Sequence, residues 1–405
     1  MEILVKFPAT AHTMAFAAIG CLCGMLCFGH EDPRLLVFTV LIPILWSEAP
    51  TKMAAFALSF CYYLAAARGV PSGAAVFFGG APCAQAFGVL LWLSSSVALA
   101  VPWAIFSPST MAFRATFLHI LAIYTLITVP PIGLFGWASP LLAAGFLFPG
   151  CGWVGLFLYA VIPAAVKPFP RTARLVSYFF LLLFAASAFS QPLKIGTPKG
   201  FTALNTAYGK AASGSAHFTD GFIRSTDIFK RIMKEKGLYI LLPETLAGTY
   251  NKASEELWAP LGAYVAARGQ TLILGGEIYD KNLKYDNCMI FLGADGGKAF
   301  RQRVPVPFSM WRPFGGSGTA NAYWFDKGVI MLADGRSALC LICYEQYLAW
   351  PVLWTMLSAS PRPEILIASA NQWWSRQTCI PKIQHQSASS WAMLFRFVLI
   401  SATNQ

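Results

Sequence analysis

Charge is what this chain has least of. Only 12% of its 405 residues are Asp, Glu, Lys or Arg, about half the share of a soluble globular protein, and 56% are hydrophobic. The deficit is concentrated. Residues 1–193 carry eight Lys/Arg and four Asp/Glu, and residues 194–405 carry twenty-two and fourteen, so the formal +12 divides as +4 and +8 by subtraction. Two domains are expected, a membrane domain over 1–193 and one of ordinary solubility over 194–405. Metal ligands are also lacking. Of the ten cysteines, Cys288, Cys340, Cys343 and Cys379 lie in the second half, and none has a histidine at ligand spacing. Cys340 and Cys343 form a C-x-x-C, but residues three apart on a strand face opposite ways, which argues against a redox or zinc pair. No Walker loop, dinucleotide fingerprint or G-x-S-x-G elbow occurs. No cofactor and no metal are expected. The positive residues form no dense run, so no nucleic-acid partner is expected, whereas a scattered basic surface suits anionic lipid head groups.

What the first half has is apolar length. Seven stretches approach the ~20 residues that cross a bilayer: Thr10–Cys27, Leu35–Trp46, Met53–Ala67, Phe87–Ile105, Phe117–Phe135, Leu141–Val166 and Leu175–Ser190. Pro130-Pro131 and Pro149-Gly150 are expected to kink their helices, and Trp46, Trp103 and Trp137 stand near predicted ends, where interfacial anchors belong. Further apolar stretches follow the first without a small-residue cleavage site, so it does not read as a removable signal. With the N-terminus cytoplasmic, inside segments hold Lys6, Lys52, Arg114, Lys167, Arg171 and Arg174, and outside loops hold Arg34 and Arg68. Six against two favours that orientation. Seven crossings then put the second domain on the far side of an inner membrane, in the periplasm of a Gram-negative cell.

From about Lys194 short strands and amphipathic helices alternate. Gly237–Pro243 reads as a buried strand ending at Glu244, Ser254–Arg268 as a helix and Gln270–Ile278 as a strand. Hairpins are expected around Ala294-Asp295-Gly296-Gly297 and Ala333-Asp334-Gly335-Arg336. The second leads into Ser337–Ile342, an apolar run that ends in Cys343-Tyr344-Glu345. A helix (Tyr347–Ser358), a strand (Glu364–Ser369), a helix (Pro381–Phe395) and a last strand (Phe397–Ala402) complete a layered α/β pattern. A cysteine at the mouth of a buried strand is placed as a nucleophile would be, or it is a buried structural residue. Glu244 is a general base or a cap at a strand-to-helix turn. Trp373-Trp374 serve packing, anchoring or substrate contact. His385 is structural or catalytic. Arg301 and Arg303 face solvent, lipid phosphate or the site.

Three pieces line up as a set. They are Pro243-Glu244-Thr245, the run Arg301-Gln302-Arg303-Val304-Pro305-Val306-Pro307-Phe308, and Ile342-Cys343-Tyr344-Glu345, followed by Asn371-Gln372-Trp373-Trp374, Gln384-His385 and Ala402-Thr403-Asn404. In this order they resemble the carbon–nitrogen hydrolase (nitrilase) superfamily, above all its membrane-bound apolipoprotein N-acyltransferase branch and, within it, the TraB-type conjugal-transfer proteins. The resemblance implies a polytopic α-helical membrane domain of about seven spans followed by an α/β nitrilase-like α-β-β-α sandwich. It implies a Glu, Lys, Cys triad in which Glu244 matches the general base and Cys343 the nucleophile, with Glu345 as a supporting carboxylate and Trp374, Arg301 and Arg303 toward the substrate. A phospholipid or other acyl donor, and an amine or lipoprotein acceptor, would be the partners.

The departures are specific. Gln302 stands where the triad lysine is expected; that lysine stabilises the oxyanion, and losing one such donor costs on the order of 10²–10³ in rate. Lys298 shares its strand parity but lies roughly 13 Å back along an extended strand. Ser309-Met310 replace a Gly-Glu, Gln372 stands in the family's Asn-Asp pair, and the family continues past the position of Asn404 into further strands and a membrane helix. Two functions stay open: an acyltransferase or amidohydrolase working through a thioester, and a catalytically impaired scaffold in conjugal transfer.

Overall fold

The computed structural model describes residues 9–79, 83–107, 112–190, 192–193, 195–210 and 216–405. Lys6, one of the cations used for orientation, lies outside them. The chain divides into two compact units: Met1–Lys194 with Tyr347–Trp350 and Gln377–Arg396, and Ile195–Gln346 with Pro351–Arg376 and Phe397–Gln405.

The first unit runs through α1 (Ala9–Cys27), α2 (Leu41–Glu48), α3 (Lys52–Ala66), α4 (Val70–Phe77), α5 (Ala84–Ile105), α6 (Phe113–Thr128), α7 (Ala143–Leu147), α8 (Gly152–Val166) and α9 (Arg171–Ser187). Local chemistry sets several of these boundaries. Thr51 starts α3 by accepting the Ala54 N–H at 3.1 Å. Pro71 stands in the first turn of α4, where its missing N–H costs nothing. Helix α1 packs on α3 through Gly20 and Gly24, where an added Cβ would lie 2.0 Å from the Leu58 carbonyl oxygen and 2.4 Å from that of Tyr62. This is the small-xxx-small spacing that lets helix backbones touch.

The expectation of seven spans is corrected here. Among the described residues three helices are long and apolar enough to cross a membrane, Thr10–Cys27, Ala84–Ile105 and Arg171–Ser190. The number reaches five if each bent pair counts as one span, Lys52–Ala66 with Val70–Phe77 (45°) and Pro140–Leu147 with Gly152–Val166 (117°). Leu35–Trp46 is not one helix but a 3-10 segment, Pro33–Val40, followed by α2; eight helical residues rise only about 12 Å. Leu141–Val166 breaks at Pro149-Gly150-Cys151-Gly152, where Gly150 and Gly152 adopt φ of 75° and 52°, values glycine tolerates and a helix cannot hold. Trp46 and Trp103 are buried rather than interfacial, with the Trp46 indole N–H donating to the Trp103 carbonyl at 2.8 Å. Helix α9 exposes Leu175, Val176, Phe179, Phe180, Leu183 and Phe184, an apolar face of the kind a bilayer covers.

The second unit contains two sheets. Strands β1 (Phe201–Ala203), β2 (Tyr239–Leu241), β3 (Thr271–Tyr279), β4 (Tyr285–Gly293) and β5 (Ala299–Arg301) form one in that order, parallel from β1 to β3 and antiparallel from β3 to β5. Strands β6 (Val329–Met331), β7 (Ser337–Ile342), β8 (Ile365–Asn371) and β9 (Val398–Asn404) form the other, antiparallel at β6–β7 and parallel beyond. Leu241, Ile273, Met289, Phe291 and Phe300 of the first sheet share one core with Cys340, Ile342, Ile365, Ile367 and Ile400 of the second, so the sheets pack face to face. Helices α10 (Ala216–Ile232) and α11 (Lys252–Ala267) cover the outer face of the first sheet through Ile228, Ile232, Trp258, Leu261 and Val265. Asn251 caps α11 by accepting the Ser254 N–H at 3.1 Å. Strand β1 and helix α10 were not foreseen from sequence; β1 has three residues, too few to show a period. Helix α12 (Ala349–Ser358) follows the Cys343 turn, and α13 (Ile380–Phe395), expected in the sandwich, groups with the first unit.

Trp258 is fully buried at the centre of the α10–α11 layer. Trp258→Ala is expected to lower stability by about 3–5 kcal/mol, read as a fall in the unfolding midpoint of the purified protein in detergent. A change of less than about 1 kcal/mol would contradict this packing.

Candidate active site

The candidate residues gather where parallel strands end, the place at which an α/β sheet leaves unpaired backbone groups and room for a ligand. Strand β2 runs through Leu242-Pro243 into Glu244, β7 delivers Cys343, and β8 ends at Asn371. The Glu244 and Cys343 side chains are hydrogen-bonded to each other. Both are buried, Glu244 at 5% exposure and Cys343 at 8%. Cys343 adopts φ 47° and Thr245, next to Glu244, φ 52°. Left-handed conformations in non-glycine residues cost roughly 1–3 kcal/mol each and persist only where the surroundings hold them.

Donors around the carboxylate explain why it can be buried. Oε2 of Glu244 accepts the Asn371 N–H at 2.7 Å and Oε1 accepts from Asn287 Nδ2 at 2.6 Å. Asn371 is held in turn by Thr245, to whose Oγ1 its Nδ2 donates at 2.8 Å, and by Asn404, whose Nδ2 donates to Asn371 Oδ1 at 3.0 Å. Loss of water still dominates, and the Glu244 carboxyl is pushed up to about 7, with Glu277 adding to the rise. Burial and the adjacent Glu244 push the Cys343 thiol well above its usual range, while the N–H groups of Asn371 and Tyr344 pull the other way. At rest the sulfur keeps its proton.

Gln302 is buried beside them. Its Oε1 accepts from Asn287 Nδ2 at 3.0 Å and its Nε2 donates to the Ile342 carbonyl at 3.0 Å. Asn287 thus bridges Glu244 and Gln302. It was missed from sequence because it sits in the middle of β4, with no motif to mark it. Lys298 reaches elsewhere, pairing with Asp295 and donating to the Met331 carbonyl at 3.0 Å.

Glu345 is fully buried and supports the frame. Its Oε1 accepts from the Arg303 N–H (2.9 Å), the Val304 N–H (3.3 Å) and Arg303 Nε (3.2 Å), and its Oε2 from the Ile342 N–H (2.9 Å). Burial raises the carboxyl, yet both oxygens only accept, as an ionised carboxylate does. Arg303 corrects the expectation of a substrate-facing or solvent-facing cation. It is 2% exposed and also donates to the Pro351 carbonyl (3.1 Å) and Thr355 Oγ1 (2.9 Å). Strand β5 stops at Arg301, so alternation lapses and Gln302, Arg303 and Val304 are all buried. Arg301 remains at the surface, 58% exposed, against Asp286 at 3.2 Å and the Tyr323 ring. Trp373 and Trp374 follow Asn371, half-buried, with Lys210 over the Trp373 ring. His385 lies on α13 in the first unit.

Arg303→Met strands the Glu345 charge in the interior and is expected to cost about 3–5 kcal/mol, whereas Arg301→Met, at an exposed pair, is expected to stay within about 1 kcal/mol. Paired thermal unfolding of the two variants checks this; equal losses would contradict the inward placement of Arg303.

No family profile matches the chain. In solved structures its α/β region resembles the nitrilase-superfamily amidase of Nesterenkonia AN1, at 11% identity and a TM-score of 0.35 over 51% of this chain and 78% of that one. Another structure of an amidase from Nesterenkonia sp. matches at 10% identity and a TM-score of 0.35, over 50% and 75%. Whole-length likeness comes from two sequences. A protein described as "Probable conjugal transfer protein TraB" from Sinorhizobium fredii is 34% identical over 389 residues, 91% of this chain and 92% of its own. Conjugal transfer protein TraB of Agrobacterium fabrum is 32% identical over 395 residues, 92% and 88%. At that identity over nearly the full length of both, the chain belongs to the family of TraB conjugal transfer proteins.

Proposed function

We propose that this TraB-family protein is a membrane-bound acyltransferase or amidohydrolase that works through a thioester on Cys343 and serves conjugal plasmid transfer. The observation that carries the reading is the buried hydrogen bond between Cys343 and Glu244 at the ends of β7 and β2. A thiol whose ionised form is disfavoured by burial needs a base within reach at the moment of attack. Glu244, raised to about 7, is matched to that task near neutral pH. As the sulfur attacks an ester or amide carbonyl its proton passes to Glu244. The oxyanion meets the Tyr344 N–H, which faces the sulfur, while the Asn371 N–H stays on Glu244 Oε2. Collapse expels the leaving group with the proton held by Glu244, and an amine or water then resolves the thioester.

Apolar helices on the same chain confine this chemistry to the neighbourhood of a bilayer, which makes a phospholipid the acyl donor of choice and replaces capture from bulk water by capture within two dimensions. With the N-terminus cytoplasmic, an odd number of crossings, three or five, puts the α/β unit on the extracytoplasmic side of the inner membrane in this reading. A second reading, an impaired scaffold for conjugal transfer, is favoured by one observation: Gln302 is uncharged and its amide is spent on Asn287 and Ile342.

Two experiments test these readings. Membranes treated with an alkyne-bearing phospholipid are expected to label wild type through a hydroxylamine-sensitive bond, with no label on Cys343→Ala and at least tenfold slower labelling of Glu244→Gln. Below about pH 7 the Glu244 carboxyl holds its proton and cannot accept another, so the wild-type rate is expected to climb as pH rises through that value, a limb absent from Glu244→Gln. Equal labelling of all three proteins would leave only the scaffold. A phosphatase fused after Gln405 is expected to be active; activity restricted to a cytoplasmic reporter at that position would reverse the orientation.

A further inference from the structure

Among the described residues the site leaves one buried acceptor, Asn287 Oδ1, without a donor. Glu277, on β3, is paired in register with Asn287 on β4, and residues directly opposite on antiparallel strands project from the same face. That face is the one from which Asn287 reaches Glu244. Glu277 is half-buried, accepts from the Tyr279 hydroxyl at 3.4 Å, and adds to the rise that burial gives the Glu244 carboxyl and the Tyr285 phenol. The second observation is independent of the carboxylates. Asn287 is 2% exposed and its Oδ1 accepts no hydrogen bond among the described residues. The orientation of this amide is settled by its partners, since a flipped Asn287 would set Oδ1 against the acceptor oxygens of both Glu244 and Gln302. A buried carbonyl oxygen without a donor costs on the order of 1–3 kcal/mol, a cost that an incoming donor would remove. At the position where the family resemblance implies a lysine, Gln302 brings no charge.

We propose that Glu244, Glu277 and Asn287 form an ammonium-binding site, and that the acyl acceptor enters it as a primary ammonium ion and itself supplies the positive charge that Gln302 lacks. The inference deepens the acyl-transfer reading and rests on it for the role of the bound amine. Three N–H donors meet two carboxylates and the Asn287 oxygen, a matching of donor count and charge that water or a neutral alcohol cannot reproduce. In the resolving step the ammonium gives one proton to Glu277. The freed nitrogen lone pair forms the C–N bond to the thioester carbonyl, and the C–S bond breaks with its electrons on Cys343. The second N–H proton passes through Glu244 to the sulfur. The amide leaves and the thiol is restored.

Binding tests this apart from catalysis. Full-length protein in nanodiscs is titrated with butylammonium and, in parallel, with butanol, using saturation-transfer NMR. Wild type and Cys343→Ala are expected to bind butylammonium and not butanol. Glu277→Gln removes a charged acceptor and Gln302→Lys places the protein's own cation in the pocket, so each is expected to weaken butylammonium roughly tenfold or more. Equal binding of the two probes, no binding of butylammonium to wild type, or undiminished affinity in both variants would each overturn the site. Selective butylammonium binding with no acyl label on Cys343 would leave the site standing and sink the acyl-transfer reading instead.

Discussion

Two carboxylates carried into the interior impose the main constraint on the second unit. A buried charge without donors is among the most costly features a fold can contain, so the backbone around Glu345 and Glu244 has to come to them. Glu345 draws the chain leaving β5 and the end of β7 onto one side chain through three N–H groups and one guanidinium. That clamp holds the backbone next to Cys343 in a left-handed conformation it would not choose alone. Glu244 likewise draws in the end of β8 through Asn371 and the middle of β4 through Asn287. The position of Cys343 follows from how these two groups are satisfied.

The carboxylates differ in consequence. Glu345 faces a cation and backbone donors on every side and has no room for a ligand. Glu244 is held by neutral amides and the thiol, so burial rather than a positive neighbour decides its proton affinity. A lysine at position 302 would hold Glu244 ionised over the whole physiological range. The amide there leaves burial to set its proton affinity, near neutrality.

The helical unit solves a different problem with the same economy of charge. Backbone contact at Gly20 and Gly24 replaces side-chain interdigitation between α1 and α3, and aromatic pairs such as Trp46 with Trp103 fill the interior. Apolar surface on α9 is left exposed. The two-unit division shows that a segment contiguous in sequence with the sandwich, Gln377–Arg396, belongs by its packing to the helical unit.

By itself the sequence determined the class of the protein. Charge depletion over 1–193, strand-and-turn rhythm beyond, and the pair Glu244 and Cys343 at strand ends are local patterns, each written within a few residues. The limits of strands β3 and β7 and of helix α11 were legible for the same reason. What only the tertiary structure decided depends on pairing between distant segments. Asn287 and Glu277 join the site because β3 and β4 pair in one register, and Arg303 turns inward because β5 ends two residues before it and alternation stops. The number of spans changed because proline and left-handed glycines break runs whose composition alone looks continuous. Period and composition are properties of neighbours along the chain, whereas a hydrogen bond to a buried carboxylate is a property of neighbours in space.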